Sequence, residues 1–210
     1  MIRAATLALC LAASPALATQ EYILPTLFDV TGVAADDVLN IRAHPNASAE
    51  IIGTLTPDAT GIEVVEQRGN WGRVNTSEQS GWVSLRYLNY RTDVWAPGAL
   101  PAGFTCQGTE PFWSLRAEGD TLIWDQPEGE ESYSGLKTLD DGIFRSPRRA
   151  LIAGQDARRI TAMVEPALCS DGMSDRSYGL SASVIVEGAS ARDGAQLYTG
   201  CCLAGGVWNN

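Results

Sequence analysis

The chain has 210 residues, 45% hydrophobic and 19% charged, with 21 Gly and 10 Pro, which is the composition of a globular protein with room for one or two small domains. Lys and Arg number 15 against 25 Asp and Glu, a formal charge of −10, so the basic face that nucleic-acid binding requires is not expected. With one histidine, His44, and one lysine, Lys137, the chain cannot build a three-His zinc site or a Cys-His-His peptidase site, and Lys137 does not stand in a Walker A loop.

Met1-Ile2-Arg3 is followed by an apolar run from Ala4 to Leu17, and Ala16-Leu17-Ala18 forms a small-x-small site. This is the pattern of a secretory signal peptide over residues 1–18, with cleavage near Ala18 and a periplasmic or secreted destination. The run is shorter than the roughly 20 residues a membrane-spanning helix needs, and no later stretch is longer, so no transmembrane segment is expected in the mature chain. Lipidation of Cys10 is the rival reading, but Leu9 precedes it where a small residue is wanted, and apolar residues continue through Ala13.

Four cysteines remain beyond the leader: Cys106, Cys169, Cys201 and Cys202. In an exported chain an even number points to disulfides. In a strand the neighbours Cys201 and Cys202 point to opposite faces, so each is expected to bond a different partner, Cys106 or Cys169. Zinc is the alternative, without C-x-x-C spacing or a nearby histidine to support it. No cofactor is called for.

From Phe28 to Tyr90 short alternating runs are cut by turns. Val38–Arg42, Ile51–Leu55, Gly61–Glu66, Trp71–Asn75 and Gly81–Ser84 read as strands, separated by Pro57-Asp58, Arg68-Gly69-Asn70 and Glu78-Gln79-Ser80. Strands this short and this closely spaced predict a small β-barrel. Within them, Asp36-Asp37-Val38-Leu39-Asn40-Ile41-Arg42, Ile51-Ile52-Gly53-Thr54-Leu55, Gly69-Asn70-Trp71-Gly72-Arg73-Val74, Gly81-Trp82-Val83 and Tyr87-Leu88 resemble the bacterial SH3-like domain over residues 28–90. The resemblance implies a binding module for peptides or peptidoglycan, not an enzyme. Trp71, Tyr87 and Tyr90 are its candidate groove aromatics, with Asn40 and Arg42 as polar contacts, and Trp82 is assigned to the core.

Residues 91–105 carry two prolines and two glycines without a strand pattern and read as a linker. Residues 106–203 then read as a second antiparallel β domain, a barrel or sandwich, which makes the protein all-β. Phe112–Ala117 and Thr121–Asp125 form a hairpin around Glu118-Gly119-Asp120, Arg158–Val164 is a further strand, Tyr178 to Val186 alternates cleanly, and Gln196–Cys202 closes the set. Gly108-Thr109-Glu110-Pro111-Phe112-Trp113, Cys169-Ser170-Asp171-Gly172-Met173-Ser174-Asp175 and Gly200-Cys201 resemble a family of exported bacterial proteins that carries no assigned activity. That resemblance implies the pairs Cys169–Cys201 and Cys106–Cys202.

Glu110, beside Phe112 and Trp113, is a candidate acid or base if burial raises its pKa, and Asp171 and Asp175 are candidates for a cation site or, with Glu110, for the carboxylate pair of a glycoside-type hydrolase, a third reading of the function. The competing reading has Glu110 as a hydrogen-bond acceptor and the two aspartates as turn caps. Arg145, Arg148, Arg149, Arg158 and Arg159 are the one basic concentration, either an anion site or a set of local ion pairs. The functional expectation is a non-enzymatic exported protein whose partner is a peptide, peptidoglycan or another envelope protein. The alternative is a small-molecule-binding or enzyme-inhibiting C-terminal barrel that the SH3-like domain tethers.

Overall fold

The computed structural model describes residues 22–155, 158–188 and 194–205, and the leader with Cys10 and Ala18 lies outside them. Among the described residues every regular element is a strand except one 3₁₀ turn, and no helix is long and apolar enough to cross a membrane.

The N-terminal part contains β1 (Thr26–Val30), β2 (Leu39–Arg42), β3 (Ile51–Leu55), β4 (Ile62–Val64), β5 (Glu66–Arg68), β6 (Trp71–Thr76), β7 (Gln79–Ser84), a 3₁₀ turn (Leu85–Tyr87) and β8 (Leu88–Tyr90). They form a three-stranded sheet in the order β4-β1-β8 and a five-stranded sheet in the order β3-β2-β7-β6-β5. Phe28, Leu39, Ile41, Leu55, Val64, Val74 and Val83 fill the space between the sheets. The alternation of Leu39 and Ile41 with Asn40 and Arg42 is the reason β2 can face this core on one side and the surface on the other.

Two sequence expectations shift here. The run from Gly61 to Glu66 is buried through Val65 without alternation, and the chain changes sheet at Val65, so one predicted strand becomes β4 and β5. The β6–β7 hairpin turns at Ser77 and Glu78, with Ser77 at φ 48°, and Gln79 and Ser80 already belong to β7. The predicted turn at Glu78-Gln79-Ser80 was displaced because a polar strand end resembles a loop in composition.

The C-terminal part contains β9 (Thr105–Thr109), β10 (Phe112–Glu118), β11 (Thr121–Gln126), β12 (Gly129–Ser134), β13 (Lys137–Leu139), β14 (Arg149–Gln155), β15 (Arg158–Cys169), β16 (Tyr178–Glu187) and β17 (Ala195–Leu203). All nine belong to one antiparallel sheet, ordered β12-β11-β10-β9-β17-β16-β15-β14-β13. The sheet curls until β12 lies beside β14 and β15. Arg158 on β15 reaches across this closure to Glu131, with its guanidinium over the Tyr133 ring. Inside, Leu115, Leu122, Trp124, Leu151, Ile160, Leu180 and Val184 are fully buried.

The disulfides are Cys106–Cys202, joining neighbouring strands β9 and β17, and Cys169–Cys201, joining the end of β15 to β17. Cys201 and Cys202 thus leave opposite faces of β17, as adjacent strand residues do.

Residues 91–104 carry no strand, but they are not a free tether. Val94, Trp95 and Phe104 are buried in the C-terminal core together with Leu27 of β1. Trp95 donates its indole N–H to the Pro25 carbonyl at 2.8 Å. Arg149, 1% exposed, donates to the carbonyls of Ala96 and Ala99 in this segment and to Ser146 and Arg148, with its guanidinium over the Trp95 ring. A buried guanidinium with so many acceptors acts as a clamp on irregular backbone.

The two parts also meet directly. Gln79 forms a parallel bridge with Asp175, Asn75 exchanges two hydrogen bonds with the Ser177 backbone, and Ala204 donates its N–H to Glu63 of β4 at 3.2 Å.

Candidate functional site

Asn40 and Arg42, on the outward positions of β2, share a groove of about 700 Å³ with Trp71 at the start of β6 and Tyr87 at the end of the 3₁₀ turn. The chain between β1 and β2 supplies the opposite wall, including Val33, Asp37 and Val38. Arg42 is steadied by donating to the Ala49 carbonyl at 2.7 Å. Arg86 lies 4.5 Å over the Tyr87 ring, pairs with no carboxylate among the described residues, and was not singled out in the sequence. Its neighbour Tyr87 was the available signal. Two guanidinium groups, two aromatic rings and one carboxylate make the groove locally cationic in an acidic protein, suited to an extended chain that carries carboxylates.

Tyr90 does not belong to this groove. Three residues past Tyr87, after the change from 3₁₀ turn to strand, its ring packs 4.9 Å from Tyr22 and 5.7 Å from Phe28, with Arg145 above it. Trp82 is buried, 5% exposed, beneath Arg68 and Arg73.

Residues 37–89 match the bacterial SH3 domain family. This segment is a bacterial SH3 domain. No curated protein and no solved structure matches the chain. The SH3 domain is a binding domain, and its family match spans all of the groove's strands and aromatic walls, from Asp37 to Tyr87.

Outside the SH3 domain the carboxylate candidates separate. Glu110 is exposed in the turn between β9 and β10 and is not buried against the neighbouring aromatics. Asp175 is exposed and engaged through its backbone with Glu78 and Gln79. Asp171 and Trp113 line a second cleft, but Glu110 and Asp175 do not.

Asp171 accepts backbone N–H groups from Met173 and Ser174 and hydroxyls from Ser174 and Tyr178. Burial alone would raise its carboxyl, but these donors outweigh that effect and hold it down at about 2. It is therefore anionic at neutral pH and a builder of its turn, not a proton donor.

The arginine concentration also disperses. Arg148 pairs with Asp141 and Glu165, Arg158 with Glu131, and Arg159 with Glu187, while Arg149 is buried as a clamp. Among the described residues no group of three His, Cys, Asp or Glu side chains is placed to hold a metal ion.

Proposed function

We propose that the protein is an exported, non-enzymatic binding protein of two domains, whose SH3 domain takes a peptide or the stem peptide of peptidoglycan in the groove between Trp71 and Tyr87. The observation that carries this reading is the convergence of Asn40, Arg42, Trp71 and Tyr87 on one groove inside the segment that matches the SH3 family. The rings cover apolar stretches of the ligand, Asn40 serves its backbone, and Arg42 and Arg86 receive its carboxylates. Export is supported by the leader pattern of residues 1–18 and by the two disulfides, which persist in oxidising compartments.

The test is retention on purified peptidoglycan sacculi and on soluble stem peptides. The mature chain should be kept whole, because Leu27, Val94 and Trp95 pack in the C-terminal core and a cut near residue 92 would open it. Trp71→Ala is expected to cost about 2 kcal/mol of binding, as truncating an aromatic anchor commonly does, with the unfolding midpoint little changed. Retention equal to that of the parent chain would remove Trp71 from the groove's function, and a large loss of stability would place it in the core. Failure of the parent chain to bind either material at any salt concentration would overturn the cell-wall reading.

A further inference from the structure

The second cleft lies at one end of the nine-stranded sheet, away from the SH3 groove. The end of β9 and the start of β10, the end of β11 with Pro127, the loop between β15 and β16 and the tip of the SH3 domain's β6–β7 hairpin converge on it, enclosing about 570 Å³. Its formation depends on local sequence. Trp113 lies against the backbones of β9 and β17, where Gly108 and Gly200 leave it room. A Cβ at Gly108 would come within 2.1 Å of the indole nitrogen, and one at Gly200 within 2.7 Å of the indole ring. The ring is held from the inside by Trp124, with centroids 5.0 Å apart and planes at 22°. Asp171, through its four hydrogen bonds, folds the loop that brings Met173 to the opening.

The lining has a one-sided chemistry. Phe112 is 55% exposed and Met173 is 70% exposed, large apolar side chains turned to solvent at the mouth of a concavity. Glu78, Asp125 and Asp171 are the charged residues that line the cleft, and no lysine or arginine lines it. Glu78 shares its charge with Arg176 at 2.9 Å, whereas Asp125 is exposed and forms no ion pair among the described residues. The cleft volume falls in the range of small-ligand sites, and apolar walls with a few placed charges are how such sites select.

We propose that this cleft is a second binding site, which takes an organic cation, an amino or guanidino group on an apolar or aromatic stem. The stem lies against Phe112, Met173 and the edge of Trp113, and the cationic head pairs with Asp125 while the hydrogen-bonded Asp171 adds its charge nearby. Cation–ring contact adds to the attraction. Because Glu78 is contributed by the SH3 domain, the site is complete only when the two parts of the chain are docked.

Calorimetric titration of the mature chain with phenethylammonium and with N-acetyl-phenylalanyl-arginine amide tests this, the first as a free amine and the second as a peptide side chain. The uncharged citrulline analogue of the peptide is the control. At least one cation should bind, more weakly as salt rises, and the citrulline analogue should bind at least about tenfold more weakly than the arginine peptide. Preference between the two cations identifies the source of the natural ligand.

Asp125→Asn and Phe112→Ala, both exposed, should each weaken the binding by about tenfold with an unchanged melting temperature, while Trp71→Ala in the SH3 groove leaves it unaffected. Where the arginine peptide binds, equal binding of its citrulline analogue would overturn the proposal, as would indifference to both cleft variants or no binding of either cation at millimolar concentration.

Discussion

Replacing Cys106 and Cys202 together by alanine is expected to lower the stability of the oxidised protein by about 4 to 5 kcal/mol, the largest loss from any single crosslink in the chain. The bond closes a loop with a sequence separation of 96, so its removal returns much loop-closure freedom to the unfolded state. Cys169–Cys201 closes a separation of 32, and its removal by the same substitution should cost about 3 to 4 kcal/mol by the same relation. Burial works in the same direction, because Cys106 and Cys202 are fully buried whereas Cys169 is only partly so. Denaturant unfolding of the parent and the two double variants measures both losses. Equal losses, or a greater loss at Cys169–Cys201, would show that native packing outweighs chain entropy at these sites.

Glu63→Gln is expected to stabilise the protein above pH 7 by about 3 kcal/mol and to change nothing below about pH 4. Glu63 sits on β4 at the seam between the two parts, 9% exposed, with one oxygen accepting the Ala204 N–H and the other without a partner. Burial pushes its carboxyl from 4.5 up to about 7, the Ala204 bond opposing only in part, and no charged group contributes to the shift. Below 4.5 the group is protonated in both the folded and the unfolded chain and costs nothing. Between 4.5 and about 7 the unfolded chain ionises while the folded one holds its proton, so stability falls as pH rises. Above about 7 both forms are ionised and the penalty is constant.

Asp171 has the opposite sign in a different window. Its carboxyl, held at about 2 against an ordinary 3.8, adds stability that is present above 3.8 and lost as pH falls toward 2. Unfolding midpoints of the parent and Glu63→Gln across pH 2 to 9 separate the two effects, Glu63 as the difference between the proteins and Asp171 as the loss both share below 3.8. A constant difference between the proteins over that range would show that Glu63 does not titrate with folding.

The strands of the SH3 domain were legible because their physics is local, and the motifs they carry named the family. Period-two alternation in Leu39–Arg42 and the turn residues between short apolar runs depend on neighbours a few residues away. The long β16 was equally plain, since Leu180, Ala182, Val184 and Val186 face one core, while Tyr178 at its start is buried with Cys201 and Leu203. β12, by contrast, went unseen. Gly129–Ser134 is polar throughout except for Tyr133, and it becomes a strand because β11 offers it a partner and Arg158 closes over it. β14 hid for a related reason, because it begins at an arginine whose burial makes sense only once the carbonyls of Ala96 and Ala99 surround it.

Among the groove candidates, Asn40, Arg42, Trp71 and Tyr87 could be named from sequence because strand alternation and the motif specify which side chains leave the core. Tyr90 could not be placed, since the three residues separating it from Tyr87 span a change of backbone geometry that turns the ring to another face. The carboxylates show the same limit. The sequence places Glu110 next to two aromatics, but whether a neighbour in sequence is also a neighbour in burial depends on which side of the β9–β10 turn faces solvent.

The sequence by itself determined the all-β class, the SH3 segment, four of its groove residues and the need for each of Cys201 and Cys202 to find a separate partner. The all-β class and the cysteine argument follow from steric and periodic rules that operate within a few residues, whereas the SH3 segment and its groove candidates came from the resemblance of its motifs to a known family. The tertiary structure decided that residues 91–104 are a packed strap, that Glu63 is a buried carboxyl at a seam, and that Glu78 completes a cleft built mostly from residues 107–174. Those outcomes depend on contacts across about a hundred residues, where burial and charge are set by which surfaces meet.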